Sequence, residues 1–115
     1  MNSYIVKLIF NINIGDGKHQ SQFDEQTILI NASSLEDAFY KAKTQGRILE
    51  EKFSNDKDQS VEWKFIDVVD IFELRSYKNG DPLYSTTHET HDTSSFIDYI
   101  HHRSQIIQTK LLSFA

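Results

Sequence analysis

The chain of 115 residues is long enough for one domain, residues 1–115, and its lack of cysteine excludes disulfides and cysteine-based metal or redox sites. The formal net charge is −5 and the basic residues are scattered, so we expect no nucleic-acid partner. No apolar run approaches the roughly 18 residues of a membrane span, and Lys7 interrupts the first apolar run before a signal-peptide core could form. We therefore expect a cytoplasmic protein without a membrane partner.

Two strands joined by a tight turn are predicted at the start of the chain. Apolar residues occupy every even position of Tyr4–Ile14, which is typical of a strand with one buried face. Ile5 and Ile9 make the other face partly apolar too, so we expect something to cover it. Asp16-Gly17 indicates a hairpin turn because glycine tolerates positive φ, and the predicted return strand is Gln22–Asn31.

A helix is predicted to begin at Ser33 or Ser34. Either serine can cap the first turn, with Glu36 or Asp37, respectively, completing a capping box. An apolar stripe at helical spacing follows, made of Leu35, Ala38, Phe39, Ala42, Gly46, Leu49 and Phe53. The glycine leaves two alternatives open: it lets the helix approach the sheet closely, or the helix breaks there.

Three helix residues lie off this stripe. Tyr40, Thr44 and Ile48 are spaced four apart and are predicted to face away from the sheet. Scattered exposed apolar residues are ordinary on protein surfaces, and a partner surface is the alternative.

The most apolar and β-rich stretch, Val61–Leu74, is predicted to be the central strand. Its alternation changes near Phe65-Ile66, which a bulge or bend would produce. Asn79-Gly80 is the strongest hairpin signal in the chain, so we expect a second hairpin over Arg75–Ser85 with its returning strand at Leu83-Tyr84.

The last segment predicts a second helix, capped within Thr93–Ser95. Its apolar face would either cover the second face of the sheet or dock on a second copy; this face contains Phe96, Ile97, Ile100, Ile107 and Leu111. Together the elements predict an α+β fold ordered β-β-α-β-β-α. Its four-stranded, mainly antiparallel sheet carries one helix on one face, and a C-terminal helix follows.

The titratable residues suggest no catalytic or metal constellation. His88 and His91 lie in a predicted loop that fixes no metal geometry, and His19 lies in the first turn. Asp67 and Asp70 would face opposite sides of a regular strand, so only a bulge between them would bring the carboxylates together. We predict no catalytic, metal or cofactor residue, and these five residues are the candidates of an alternative hypothesis, a small-ligand or metal-dependent hydrolytic protein.

Several short motifs, taken in order, resemble a known family. They are Tyr4–Phe10, Ala32–Ala38, Gly46, Trp63–Leu74 and Asn79–Ser85. Over roughly residues 4–85 the chain resembles the small bacterial domain-of-unknown-function family numbered 4288, and the tail from Thr86 lies outside the resemblance. That family has no assigned activity, so the resemblance implies a bacterial α+β domain and no catalytic residue.

The leading functional prediction is a non-enzymatic interaction or accessory module, for example one that neutralises a toxin. It rests on the acidity, the small size and the surplus of apolar residues, and it implies a protein partner or self-association without a cofactor. The predicted interaction surface contains tyrosines as aromatic anchors because interfaces favour them. Its residues are Tyr40, Thr44, Ile48, Tyr77 and Tyr84.

Overall fold

A computed structural model describes residues 1–18 and 20–113 of the chain. These residues form two compact units, the first being Met1–Tyr84 and the second beginning at Ser85. The prediction of a single domain over the whole chain stays a prediction. Neither helix in the described part of the chain is long and apolar enough to cross a membrane.

The first unit is an antiparallel sheet with one helix. Across the described residues the elements are β1 (Asn2–Ile14), β2 (Gln22–Ala32), α1 (Leu35–Ile48), β3 (Glu51–Ser54), β4 (Ser60–Leu74) and α2 (Thr93–Ser113). The strands lie in the order β2-β1-β4-β3, and all three pairings are antiparallel. The predicted α+β fold and the order β-β-α-β-β-α are confirmed, and β4 is an interior strand as expected.

The core lies between β1 and α1. The even-numbered residues Tyr4, Val6, Leu8 and Phe10 are buried on the face that meets the helix. Each such side chain contributes about 1.5–3 kcal/mol when it leaves water, so this short stretch supplies much of the stability of the unit. The helix meets it with small residues, since Ala38, Ala42 and Gly46 are the buried positions of α1.

The first turn of α1 is held by a reciprocal cap. The Ser34 hydroxyl oxygen accepts a hydrogen bond of 3.1 Å from the Asp37 backbone N–H. The Asp37 carboxylate in turn accepts from the backbone N–H and the hydroxyl of Ser33, at 3.0 and 3.1 Å. Of the two capping boxes predicted, the one formed by Ser34 and Asp37 is therefore correct.

Gly46 lies inside α1 and is fully covered by the sheet. A Cβ atom at this position would lie 2.5 Å from the Cδ1 and Cε1 atoms of the Phe65 ring on β4. The helix continues past the glycine to Ile48, so the prediction of a close helix–sheet approach is confirmed and the alternative of a break is wrong.

The predicted second hairpin is wrong. Residues 75–84 contain no strand, and Asn79-Gly80 instead forms a turn closed by Asp81. The Asp81 backbone N–H donates to the Lys78 carbonyl, and the Asp81 carboxylate accepts from the Lys78 backbone N–H, both at 3.0 Å. Because the Asp81 side chain closes this turn, the turn needs no pair of strands to support it.

The hairpin partner of β4 is β3, which precedes it. Asn55 organises the connecting turn by accepting hydrogen bonds from the backbone N–H groups of Lys57 and Gln59. Phe53 consequently lies in a strand, although its spacing had placed it on the stripe of α1. Periodicity gave the wrong result because a four-residue strand is too short to show its own pattern.

Strand β4 contains two irregularities opposite β1. The register shifts between Lys7 and Leu8 and again between Ile9 and Phe10, which leaves Val69 and Ile66 without partners on β1. These two side chains are 56% and 52% exposed. The change of pattern predicted near Phe65-Ile66 is thus a β-bulge.

The second unit is built around α2. Asp92 caps this helix by accepting from the backbone N–H and the hydroxyl of Ser95, at 3.0 and 2.8 Å, so the cap lies one residue before the predicted range. These hydrogen bonds lower the pKa of the Asp92 carboxyl, the backbone bond having the larger effect. The ring of Phe96 lies 5.8 Å from that of His88 and 6.4 Å from that of Tyr99. The predicted role of this helix as a cover or a docking element stays a prediction.

The close packing at Gly46 gives a prediction for Gly46→Ala. Alanine favours the helix by about 1 kcal/mol, but overpacking against Phe65 costs typically 1–3 kcal/mol. We expect the cost of overpacking to exceed the gain in helix propensity. The free energy of unfolding, measured by urea denaturation, should decrease by about 1 kcal/mol.

Arg47→Ala, at the exposed neighbouring position, is the matched control and should change stability by less than about 0.5 kcal/mol. In a Phe65→Leu background, Gly46→Ala should no longer be destabilising because the ring is gone. An increase in stability for Gly46→Ala alone would contradict the inference.

Candidate interaction surface

An open groove lies between α1 and the edge strand β2. It encloses about 450 Å³ and is lined by Leu29, Ile30, Asn31, Tyr40, Lys41, Thr44 and Gln45. Since β2 is the first strand of the sheet, its outer backbone groups have no strand partner in the described part of the chain. The groove therefore joins free backbone hydrogen-bonding groups to a set of helix side chains.

The helix side of the groove contains Tyr40 and Thr44 of the predicted outward line of α1, and Ile48 continues that line one turn beyond the groove. Tyr40 is 58% exposed and Ile48 68% exposed, and Thr44 between them is exposed too. The Thr44 hydroxyl donates to the Tyr40 carbonyl at 3.1 Å, which satisfies it within the helix. The ring of Tyr40 packs edge-on against Phe39 at 5.4 Å, so it is supported before any partner arrives.

Lys41 links the helix to one end of β2. Its ammonium donates to the Asn31 carbonyl at 3.3 Å and lies 3.2 Å from the Asp37 carboxylate. The pKa of Asp37 is lowered, first by the hydrogen bond from the Ser33 backbone and then by Lys41. At this end of the groove the Lys41 ammonium is therefore held between the Asn31 carbonyl and the capping network.

The other end of β2 is acidic. Asp24 lies opposite Phe10 in the β1–β2 register, which places it on the helix side of the sheet, and Glu25 lies on the opposite side with Ile9. Asp24 accepts a hydrogen bond of 3.0 Å from the Gln26 side chain and forms no ion pair with any residue in the ranges 1–18 and 20–113. Its negative charge is consequently available to a partner.

The two other predicted anchors, Tyr77 and Tyr84, lie after β4. The ring of Tyr84 packs against Phe72 at 4.7 Å, and the Lys7 ammonium lies 3.9 Å above it. Because Lys7 and Phe72 point away from the core, Tyr84 lies on the face opposite α1 and does not join Tyr40 in one surface. Tyr77 is highly exposed in the same segment.

Lys7 is the centre of a small charged cluster on that opposite face. A hydrogen bond with Tyr84 is the main cause that raises the pKa of Lys7, and the charges of Tyr84, Glu25 and Asp70 add to it. Asp70 lies directly across from Lys7 in the register. The cluster fixes the segment that ends at Tyr84 to the sheet.

Strand β4 has a bulge at Val69, between Asp67 and Asp70, and their register partners Ile9 and Lys7 lie on the same face of β1. Asp67 lies 3.6 Å from the Lys43 ammonium of α1, and Asp70 lies across from Lys7 on the face that α1 does not cover. The register thus assigns both residues to one face of β4, and Asp67 is the one of the two that forms an ion pair within residues 1–18 and 20–113. The alternative of a carboxylate pair at this bulge stays a prediction.

The candidate histidines do not converge in the described residues. His88 packs against Phe96, His91 lies one residue before the cap of α2, and both are exposed. No three histidine, aspartate or glutamate residues among 1–18 and 20–113 lie close enough to hold a metal ion. His19 lies outside the described residues.

The fold defines a small α+β protein with a regular, open sheet edge beside a helix. The family model described as Domain of unknown function (DUF4288) matches residues 3–85, and the chain belongs to this family. The match extends from β1 to one residue beyond the first compact unit. No curated protein and no solved structure gives a significant match.

The capping network gives a prediction on pH. The lowered pKa of Asp37 means that its ionised form stabilises the folded state. This stabilisation is fully present above the ordinary carboxyl pKa of about 3.9 and is lost as the pH falls through and below that value. Asp37→Asn should therefore be less stable than the unmodified chain at pH 6, and the difference should shrink toward pH 2 in thermal unfolding.

Glu36→Gln is the matched control because it removes a charge from the same turn without touching the Ser33 hydrogen bonds. We expect it to change stability much less at either pH. An Asp37→Asn difference that stays constant from pH 6 to pH 2 would refute the role of the ionised carboxylate.

Proposed function

We propose that the protein is a protein–protein interaction module that binds its partner along the edge of β2 and the outward line of α1. One observation carries the proposal: an unpaired strand edge runs beside an exposed aromatic residue, with an open groove between them. A strand that adds to such an edge gains affinity from backbone hydrogen bonds and specificity from the neighbouring side chains.

The two edges of the sheet support this choice. Exposed strand edges attract unwanted pairing, and proteins usually protect them with short strands, bulges, prolines or charges. At the far edge β3 has only four residues, and the part of β4 beyond it is bulged at Ile66 and Val69. That edge is protected in the usual way.

The β2 edge is the less protected one. It has 11 residues, pairs with β1 without a register shift, and contains no proline. Its charges are confined to Asp24 and Glu25 at one end, so Thr27–Ile30 presents a regular and uncharged edge. This asymmetry supports β2 as the binding edge, while an accessory or toxin-neutralising role remains a finer prediction.

The proposal predicts the effect of Tyr40→Ala combined with Ile48→Ala. Interface anchors typically contribute about 2 kcal/mol or more, so partner capture should fall about thirtyfold. Exposed substitutions change stability by about 0.5 kcal/mol at most, so the melting temperature should barely move. Binding is measured in two ways. One is capture of proteins from a lysate of the host organism, quantified by mass spectrometry, and the other is capture of a second, differently tagged copy of the chain.

Ile66→Ala with Val69→Ala is the matched control because it removes similarly exposed apolar groups from the opposite edge. Every protein that binds through the proposed surface should be retained by this control. Equal capture by both double variants would show that binding does not use α1. A large fall in melting temperature for Tyr40→Ala with Ile48→Ala would show that these two residues stabilise the fold instead.

A further inference from the structure

We propose that the partner bound at this surface is a second copy of the chain, joined by antiparallel pairing of the two β2 edges. This inference rests on the proposed function and names its partner. A two-fold axis through Thr27, the middle residue of β2, would pair all 11 residues of the strand with those of the second copy. The two four-stranded sheets then become one sheet of eight strands.

The charges of β2 permit this register, which is the one of greatest overlap. With Thr27 at the axis, Asp24 lies opposite Ile30 of the second copy and Glu25 lies opposite Leu29, so no like charges meet. An axis through Glu25 would instead place two glutamates directly opposite each other, which is destabilising. The sequence of β2 is therefore compatible with itself in the register of greatest overlap.

Lys41 supplies the attractive part of the interface. Its ammonium is held between the Asn31 carbonyl, next to Ile30, and the Asp37 carboxylate on the helix side of the sheet, and Asp24 of the second copy would add a second acidic partner. Asp24 of the second copy arrives opposite Ile30 on that same side, because paired residues share a face and the axis is perpendicular to the sheet. The two-fold symmetry forms the Lys41–Asp24 ion pair twice. Asp24 is free to form it because this carboxylate has no ion pair within the described residues.

Apolar contacts complete the interface on the other face. Phe23 and Leu29 are 62% and 61% exposed and both point away from α1. In the Thr27-centred register, Leu29 lies diagonal to Phe23 of the second copy, within reach of an aromatic side chain. On the helix face, Tyr40 and Thr44 of both copies lie beside the line along which the two β2 strands pair. The dimer therefore covers exposed apolar side chains on both faces of the sheet.

The test uses the full chain and two charge-reversal variants. Sedimentation equilibrium should show a dimer for the unmodified chain and at least tenfold weaker dimerisation for Asp24→Lys and for Lys41→Glu. Mixing the two variants should restore the dimer, because each lysine then meets an acidic residue of the other chain. Lys43→Glu is the matched control: it reverses a charge on the same helix, but its partner is Asp67 on the β4 side.

Hydrogen exchange supplies a second readout that does not depend on the variants. Outward-facing amides within residues 22–32 should exchange more slowly as the concentration of the unmodified chain rises through the dimer range, whereas residues 51–54 should not change. Circular dichroism of each variant shows whether it is folded, and a variant that unfolds leaves hydrogen exchange as the deciding measurement.

Three results would overturn the inference: a monomer at all concentrations, a dimer insensitive to both charge reversals in folded variants, or no recovery on mixing. If the chain is monomeric but captures another protein in a manner that depends on Tyr40 and Ile48, the interaction module stands and only the self-pairing fails. If neither a second copy nor any other protein binds in that manner, both proposals fail.

Discussion

The first unit depends on the close approach between strand β1 and helix α1. The strand offers large apolar side chains from Tyr4 to Phe10, and the helix meets them with alanine and glycine. Because the large groups come almost entirely from the sheet, the helix can lie low enough for Gly46 to touch the ring of Phe65. The position of α1 over the sheet, and hence the groove beside β2, follows from this division between large and small residues.

The low position of α1 also determines which helix residues reach the surface. Ala38, Ala42 and Gly46 face the sheet, so Tyr40, Thr44 and Ile48 point outward, and Tyr40 and Thr44 border the edge strand. Lys41 extends from the same side to the Asn31 carbonyl and fixes the end of the groove. A helix built on larger core residues would stand farther from β2 and would separate the aromatic anchor from the free backbone edge.

Much of the fold follows from local signals in the sequence. Strict alternation identified β1, two overlapping capping boxes placed the start of α1 at Ser33 or Ser34, and the broken alternation near Phe65 indicated a bulge or bend in β4. The fourth strand was misplaced because Asn79-Gly80 is a strong hairpin signal, whereas β3 has only four residues and is separated from α1 by only two residues.

The candidate surface was predictable only in part. Helical spacing identified Tyr40, Thr44 and Ile48, since it depends on neighbours in the sequence. The contributions of Leu29, Asp24 and Lys41 depend on β2 being an edge strand, and strand order is a property of long-range pairing that no local pattern encodes. The same limit applies to Asp67: a bulge between Asp67 and Asp70 was foreseeable, but the ion pair of Asp67 with Lys43 of α1 was not.

The sheet order has a consequence for synthesis of the chain. Strand β1 is made first and is flanked by β2, its neighbour in sequence, and by β4, whose pairing joins Ser3 to Leu74. After β2 and α1 have emerged, β1 still lacks β4 on its other side, and ribosomes add about 5–20 residues per second. For at least a second or so, the nascent chain therefore exposes the edge of the strand that contributes most of the buried core, and in this interval it is most prone to aggregate.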